Sequence, residues 1–151
     1  MTTPIDFARA LLARLERPIT PNNIAALVAA QCIEGGFMHN GALFNPLNTT
    51  LGYAGARKVT PIGVRAYASW ADGLEATAKT LENGLYQGIL DALANDCDPD
   101  HTLRAMAISP WGWYRLENGV RVPNGIGRAA GYQSYGAHAF PAADPELETP
   151  P

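Results

Sequence analysis

The chain has 151 residues, 47% of them hydrophobic and 17% charged, enough to bury one sizeable core without metal or disulfide staples and close to the usual size of one domain. Eleven basic residues against fourteen acidic ones give a net charge of -3 with no block of Lys or Arg, which argues against electrostatic binding to nucleic acid. No stretch approaches the ~18 apolar residues of a membrane span, and the opening MTTPIDFARALLARLERP lacks the basic start, apolar run and cleavage site of a signal peptide.

The first helix is announced by Thr3 as cap, Pro4 at the first helical position and Asp6 at the capping-box position. Phe7, Ala8, Leu11, Leu12 and Leu15 form its apolar stripe, and Pro18 marks its end. A second start at Thr20-Pro21 leads into Ile24, Leu27, Val28, Gln31 and Cys32 at helical spacing, stopped by Gly35-Gly36. From Phe37 to Tyr67 the helical period disappears, and short pieces at Thr50 to Tyr53 and Val64 to Tyr67 are expected to pair as a small hairpin. Ser69 with Asp72 caps a third helix whose stripe is Trp70, Leu74, Ala78, Leu81 and Leu85, interrupted at Asn83-Gly84. Tyr86 to Leu93 and Pro99 to Ile108 read as two more, the last capped by Asp98 and stopped by Ser109-Pro110. Beyond Tyr114, glycines and prolines multiply and aliphatic residues thin out. The expectation is therefore a mostly α, α+β domain over residues 1–115, followed by an irregular extension over 116–151 whose last dozen or so residues are flexible.

Glu34 is the residue with most chemical content. A carboxylate in the last turn of a helix faces the negative end of the macrodipole, which favours its protonated form, and its spacing from Leu27 and Gln31 places it on a partly buried face, which acts in the same direction. A protonated carboxylic acid near neutral pH is what a glycosidase needs to protonate a leaving sugar oxygen, although a solvated Glu at a fraying helix end is the plainer alternative.

The run AAQCIEGGFMHNGALFNPLNTT, from Ala29 to Thr50, resembles the segment of lysozyme-like phage and bacterial wall hydrolases in which a helix ends in the catalytic glutamate and an Asn-Pro loop follows. The run VRAYASWADGLEATAKTLENGLYQGIL, from Val64 to Leu90, looks like the Tyr-x-Ser/Trp-x-x-Gly helix of the same families with the tyrosine after it, and Ser109-Pro110-Trp111-Gly112 is similar to the Ser-x-Trp-Gly segment of actinobacterial-phage members. The resemblance covers roughly residues 20 to 115 in the right order. It implies a lysozyme-like fold that cleaves the β-1,4 glycan of peptidoglycan, by hydrolysis or lytic transglycosylation, with Glu34 as general acid and no cofactor or metal. It further implies that Asn45, Asn48, Thr49 and Thr50 line the cleft and bond sugar hydroxyls or acetamido groups, and that Tyr86 lies near the glutamate. Asn45-Pro46 and Asn48 serve equally well as turn residues. Trp111 and Trp113, crowded with Tyr114 into a short irregular segment, offer flat faces for a pyranose ring, whereas Trp70 begins an apolar stripe and reads as core.

Ordinary glycosidases flank the scissile bond with a pair of carboxylates, so that mechanism needs a partner for Glu34. Asp6 and Asp72 are accounted for as caps, and Glu75 and Asp91 read as solvated, so a single-glutamate mechanism completed by the substrate's own hydroxyl or N-acetyl group is the expectation. The partners expected are peptidoglycan strands and phage tail proteins, with action on the cell wall from a virion or from the infected host's cytoplasm. A non-enzymatic virion component that keeps the fold for architecture or wall binding is the alternative.

Other motifs carry less. Cys32 and Cys97 belong to no CxxC or Cys/His cluster of metal spacing; a disulfide and two free, buried thiols both stay open, the thiols being expected. A Cys32 nucleophile with His39 or His101 as base would make a peptidase, but Cys32 falls on an aliphatic stripe. Gly125-Ile-Gly127-Arg-Ala-Ala-Gly131 misses the dinucleotide fingerprint by one residue and reads as loop, and the dispersed His39, His101 and His138 support no metalloprotease motif.

Overall fold

The computed structural model describes residues 2–35, 38, 40–112 and 114–123. The glycine-rich run 125–131, His39, His138 and the acidic end of the chain lie outside them. Within the described residues the expected mostly helical, α+β architecture is observed, as five helices and two small antiparallel hairpins.

Helix α1 (Pro4–Arg14) begins with the full capping box: Thr3 Oγ1 accepts from the Asp6 amide at 3.2 Å, and Asp6 Oδ2 accepts from the Thr3 amide at 2.9 Å. A carboxylate there complements the positive end of the helix and satisfies an otherwise orphaned N–H, each worth about 1 kcal/mol. Helix α2 (Pro21–Gly35) starts where Thr20 Oγ1 accepts from the Asn23 amide at 3.2 Å. Its length is packed with small residues, and Ala26, Leu27, Val28, Ala29 and Ala30 are all 0% exposed, so neighbouring helices approach it closely. Helices α1 and α5 (Pro99–Ile108) pack against it, α3 (Trp70–Leu81) lies on α1, and α4 (Gln87–Ala94) on α5. The shared core contains Phe7, Leu11, Leu12, Leu27, Leu47, Leu81, Ile89, Leu93, Leu103 and Met106. Each fully buried side chain of this size contributes roughly 1.5–3 kcal/mol of transfer free energy.

Two buried amides set the depth of α2. Asn23 Nδ2 donates to the Pro18 and Leu93 carbonyls at 2.8 and 2.9 Å, and Gln31 Nε2 donates to the Pro4 carbonyl at 2.9 Å. The helix that ends in Glu34 is thereby referenced to α4 at one end and to the start of α1 at the other.

The hairpin expected between Thr50 to Tyr53 and Val64 to Tyr67 forms with a different first strand. Strand β1 (Arg57–Lys58) pairs with β2 (Arg65–Ala66), while the Thr50 to Tyr53 piece is irregular and is tied to the hairpin by Tyr67, whose hydroxyl donates to the Leu51 carbonyl at 2.7 Å. The extension expected to be irregular from residue 116 also begins otherwise. Strands β3 (Tyr114–Glu117) and β4 (Val120–Pro123) form a hairpin across Asn118-Gly119, both at positive φ (51° and 78°), the left-handed geometry a two-residue turn requires. Arg121 anchors it, donating to the Ile108 carbonyl at the end of α5 at 3.1 Å and lying 4.6 Å from the Tyr114 ring centre. Residues 114–123 are thus regular strand and turn, where irregular chain was expected from 116.

Leu85, read as the end of the α3 stripe, is 67% exposed because α3 stops at Leu81. Trp70 packs against the core as expected, its ring 5.8 Å from Phe7 and 5.3 Å from Phe44.

Candidate functional site

Glu34 occupies the last turn of α2 and is half-buried. Asn48 clamps it: the Asn48 Nδ2 group donates to Glu34 Oε2 at 2.9 Å and also to the main-chain carbonyl of Glu34. Asn48 reaches both acceptors from a left-handed backbone conformation (φ 54°), which asparagine tolerates better than most residues.

The orientation of that amide is fixed from further back. The backbone N–H of Ala42 can only donate, and it donates to Asn40 Oδ1 at 3.1 Å. The Asn40 NH2 group is thereby turned toward Asn48 Oδ1, 2.7 Å away, and Asn48 must present its own NH2 group to the carboxylate. A one-way chain thus runs from a main-chain donor through two side-chain amides to Glu34. Asn40 was not among the residues singled out in the sequence; the available signal was its place in the same asparagine-rich loop, eight residues before Asn48.

Tyr86 precedes α4 and is 8% exposed. Its phenol is pushed above the ordinary tyrosine range by burial first and then by the negative charge of Glu34, as expected if the two are neighbours. The Tyr86 ring packs on Trp111, with centres 5.4 Å apart and planes tilted by 52°. Trp111 is in turn held by the turn after α5, where the Ser109 hydroxyl donates to the Met106 carbonyl and accepts from the Trp111 amide at 3.2 Å. Three segments distant in sequence therefore bring together a carboxylate, a fixed amide donor and a pair of aromatic rings.

The other residues expected to line a cleft are placed differently. Asn45 is 0% exposed and fully engaged: Nδ2 donates to the Thr49 and Arg65 carbonyls at 2.9 and 2.7 Å, and Oδ1 accepts from the Thr49 amide at 2.9 Å. It shapes the loop from inside, so its turn role prevails over sugar contact. Thr49 is 2% exposed, and its hydroxyl lies 2.5 Å from that of Thr80. Because Thr80 gives its own proton to the Ala76 carbonyl at 2.8 Å, Thr49 is the donor between them, pinning the loop to α3. Thr50 is exposed. Trp113 lies outside the described residues.

The carboxylates weighed as a second acid have other engagements. Asp6 is closed into its capping box, and Asp91 accepts from Gln87 Nε2 at 2.7 Å. Asp72 stands in the first turn of α3, at the positive end of that helix. Glu75 is not simply solvated: Arg14 grips both its oxygens, at 2.7 and 2.8 Å, and joins α1 to α3. Both cysteines are free and partly buried, and burial pushes the Cys32 thiol up, away from the thiolate a nucleophile needs. Among the described residues, no three His, Cys, Asp or Glu side chains gather as a metal site would require, and no helix is long and apolar enough to cross a membrane.

Chemically, the arrangement offers a carboxyl group that can give or take a proton, held by a neutral donor, with the Tyr86 ring close enough to feel its charge and Trp111 packed behind that ring. No protein-family model, curated protein or solved structure matches the chain.

Proposed function

We propose that this chain is a lysozyme-like phage domain that cleaves the β-1,4 bond between N-acetylmuramic acid and N-acetylglucosamine in peptidoglycan, with Glu34 as the general acid. The observation that carries the reading is a chain of contacts from one carboxylate through all three runs that carry the resemblance: Asn48 on Glu34, Tyr86 within reach of its charge, and Trp111 packed on Tyr86. The first supplies Glu34 and Asn48, the second Tyr86 and the third Trp111. Chance similarity in three separate runs gives no reason for them to meet in space.

In this reading the Glu34 carboxyl protonates the glycosidic oxygen as the C–O bond breaks, and the resulting carboxylate takes the proton from the incoming nucleophile. That nucleophile is water in a hydrolase or a hydroxyl of the substrate in a lytic transglycosylase. Asn48 keeps the carboxyl from rotating away as its charge changes, and Trp111 offers a face to a pyranose ring. One acid serves both steps, which accords with the engagement of Asp6, Glu75 and Asp91 elsewhere. Action on the wall, from a virion or from inside an infected cell, belongs to the same proposal.

The test is release of soluble muropeptides from purified peptidoglycan by the wild type and by Glu34→Gln, read by mass spectrometry with folding matched by circular dichroism. Products that vanish in the variant are expected, and their ends identify the bond cut. A well-folded wild type that releases nothing from several actinobacterial walls overturns the enzyme reading in favour of a wall-binding or structural virion component.

A further inference from the structure

The charge of the chain is unevenly distributed. From Gly35 to Ala71 there is no Asp or Glu, while Arg57, Lys58 and Arg65 fall within that run; all fourteen acidic residues lie outside it. The fold concentrates these cations in the β1–β2 hairpin, where Lys58 stands directly opposite Arg65 and Arg57 opposite Ala66. Directly opposed residues share a face of a two-stranded ribbon, and like charges in that relation are destabilising. Among the described residues no carboxylate pairs with Arg57, Lys58 or Arg65, in contrast to Arg14, Lys79 and Arg115, each of which pairs with a glutamate. Arg65 Nε donates to the Thr50 carbonyl at 3.5 Å, but among the described residues no carboxylate offsets the like charges that face each other across the ribbon.

The same ribbon is built into the loop that clamps Glu34. The Arg65 amide donates to the carbonyl of Thr49, the residue after Asn48, at 3.3 Å, and the Arg65 carbonyl accepts from Asn45, three residues before Asn48, at 2.7 Å.

We infer that Lys58 and Arg65 form a docking rung for the stem-peptide carboxylates of peptidoglycan, holding the polymer beside Glu34. The inference rests on the glycan-cleavage reading of Glu34 and adds the chemical feature by which the substrate is recognised. A carboxylate bridging the two side chains relieves their repulsion and gains two charge-assisted hydrogen bonds, with the planar fork of Arg65 suited to both oxygens. Arg57 pairs with Ala66 on the other face and takes no part in the rung.

The test is co-sedimentation of the full-length Glu34→Gln chain, which leaves the polymer uncut, with insoluble sacculi. The sacculi are freed of phosphate polymers and used either with intact stems or after an amidase has removed the stems. Adding Lys58→Gln and Arg65→Gln is expected to weaken binding to stem-bearing sacculi roughly threefold to tenfold, a loss that shrinks at high salt, and to change nothing on stripped sacculi. Arg57→Gln serves as the control and should stay near its parent. If the double variant melts early, Lys58→Gln alone, at an exposed position, carries the test. Equal binding of parent and double variant to stem-bearing sacculi overturns the proposal, as does a difference seen only when phosphate polymers are left attached. A wild type that releases no muropeptides while the binding difference persists sinks the glycan-cleavage reading and leaves the docking rung standing.

Discussion

Gly73, one turn into α3, lies against the carbonyl of Phe44: a Cβ placed on Gly73 would come within 1.7 Å of that oxygen. The contact seats the loop between α2 and β1 on α3, and Phe44 itself takes a positive φ of 56° to reach it. In an exposed helix, replacing glycine by alanine gains about 1 kcal/mol. Here the backbone must retreat from a carbonyl, so Gly73→Ala is expected to destabilise by about 2 kcal/mol or more. Urea unfolding of the two proteins measures this, and a variant with a higher midpoint would mean that the close approach is not required.

The chain from Ala42 through Asn40 and Asn48 to Glu34 makes a second expectation concrete. Asn48→Ala removes a hydrogen bond to a charged group, about 1.5–3 kcal/mol, and should cost roughly tenfold to a hundredfold in kcat for glycan cleavage. Asn40→Ala leaves the clamp in place but lets the Asn48 amide turn over, for a smaller loss of roughly threefold to tenfold. Because Asn40 reaches Glu34 only through Asn48, the double variant should lose no more kcat than Asn48→Ala alone, while the lost bond from the Ala42 amide shows in stability instead. Additive losses in that cycle would show that Asn40 has a separate role.

Stability should carry an acid-side signature from Glu75. Its hydrogen bonds to Arg14 hold its carboxyl below the ordinary value of 4.5, against the opposing effect of burial. A carboxyl depressed in the folded state stabilises above its unfolded pKa, and the contribution fades as pH falls from that range through the folded value. The wild type is therefore expected to exceed Glu75→Gln by roughly 1 kcal/mol near pH 6, with the gap closing at acid pH. Thermal melts of both proteins from pH 6 down to pH 2 follow the gap; one that stays constant across the series would assign the effect to packing.

The helices were legible because each carries its own punctuation. Thr3 with Asp6, Thr20-Pro21, Ser69 and Asp98-Pro99 are local signals, and the caps they announce are formed. The placement of Glu34 in the last turn of α2 follows from the same signals. The first strand was misplaced because two-residue strands have no periodicity to read, and Arg57 pairs with Ala66 through a register set by the Thr60 to Gly63 turn. At the second hairpin both signals were present, the Asn118-Gly119 turn and the alternation of Tyr114, Leu116, Val120 and Val122 with polar residues, but the glycines and prolines that follow outweighed them, and the strands' apolar side chains stay partly or largely exposed rather than joining the core. Within the site, Tyr86 beside Glu34 came from resemblance; periodicity could not have supplied it. Asn45 stayed open between two roles for a general reason: an asparagine that satisfies three backbone groups inside a loop and one that faces a ligand have the same sequence signature.

The aromatic side of the Glu34 neighbourhood arrives late in the chain. Asn48 follows Glu34 by fourteen residues, but Trp111, which backs Tyr86, stands at the far end of α5. During synthesis the carboxylate and its amide clamp emerge together, while the ring pair can form only after residue 111 has left the ribosome and α4 and α5 have closed on α2. A truncated or nascent chain therefore carries its acidic group without its wall, and completion of the site coincides with completion of the helical frame.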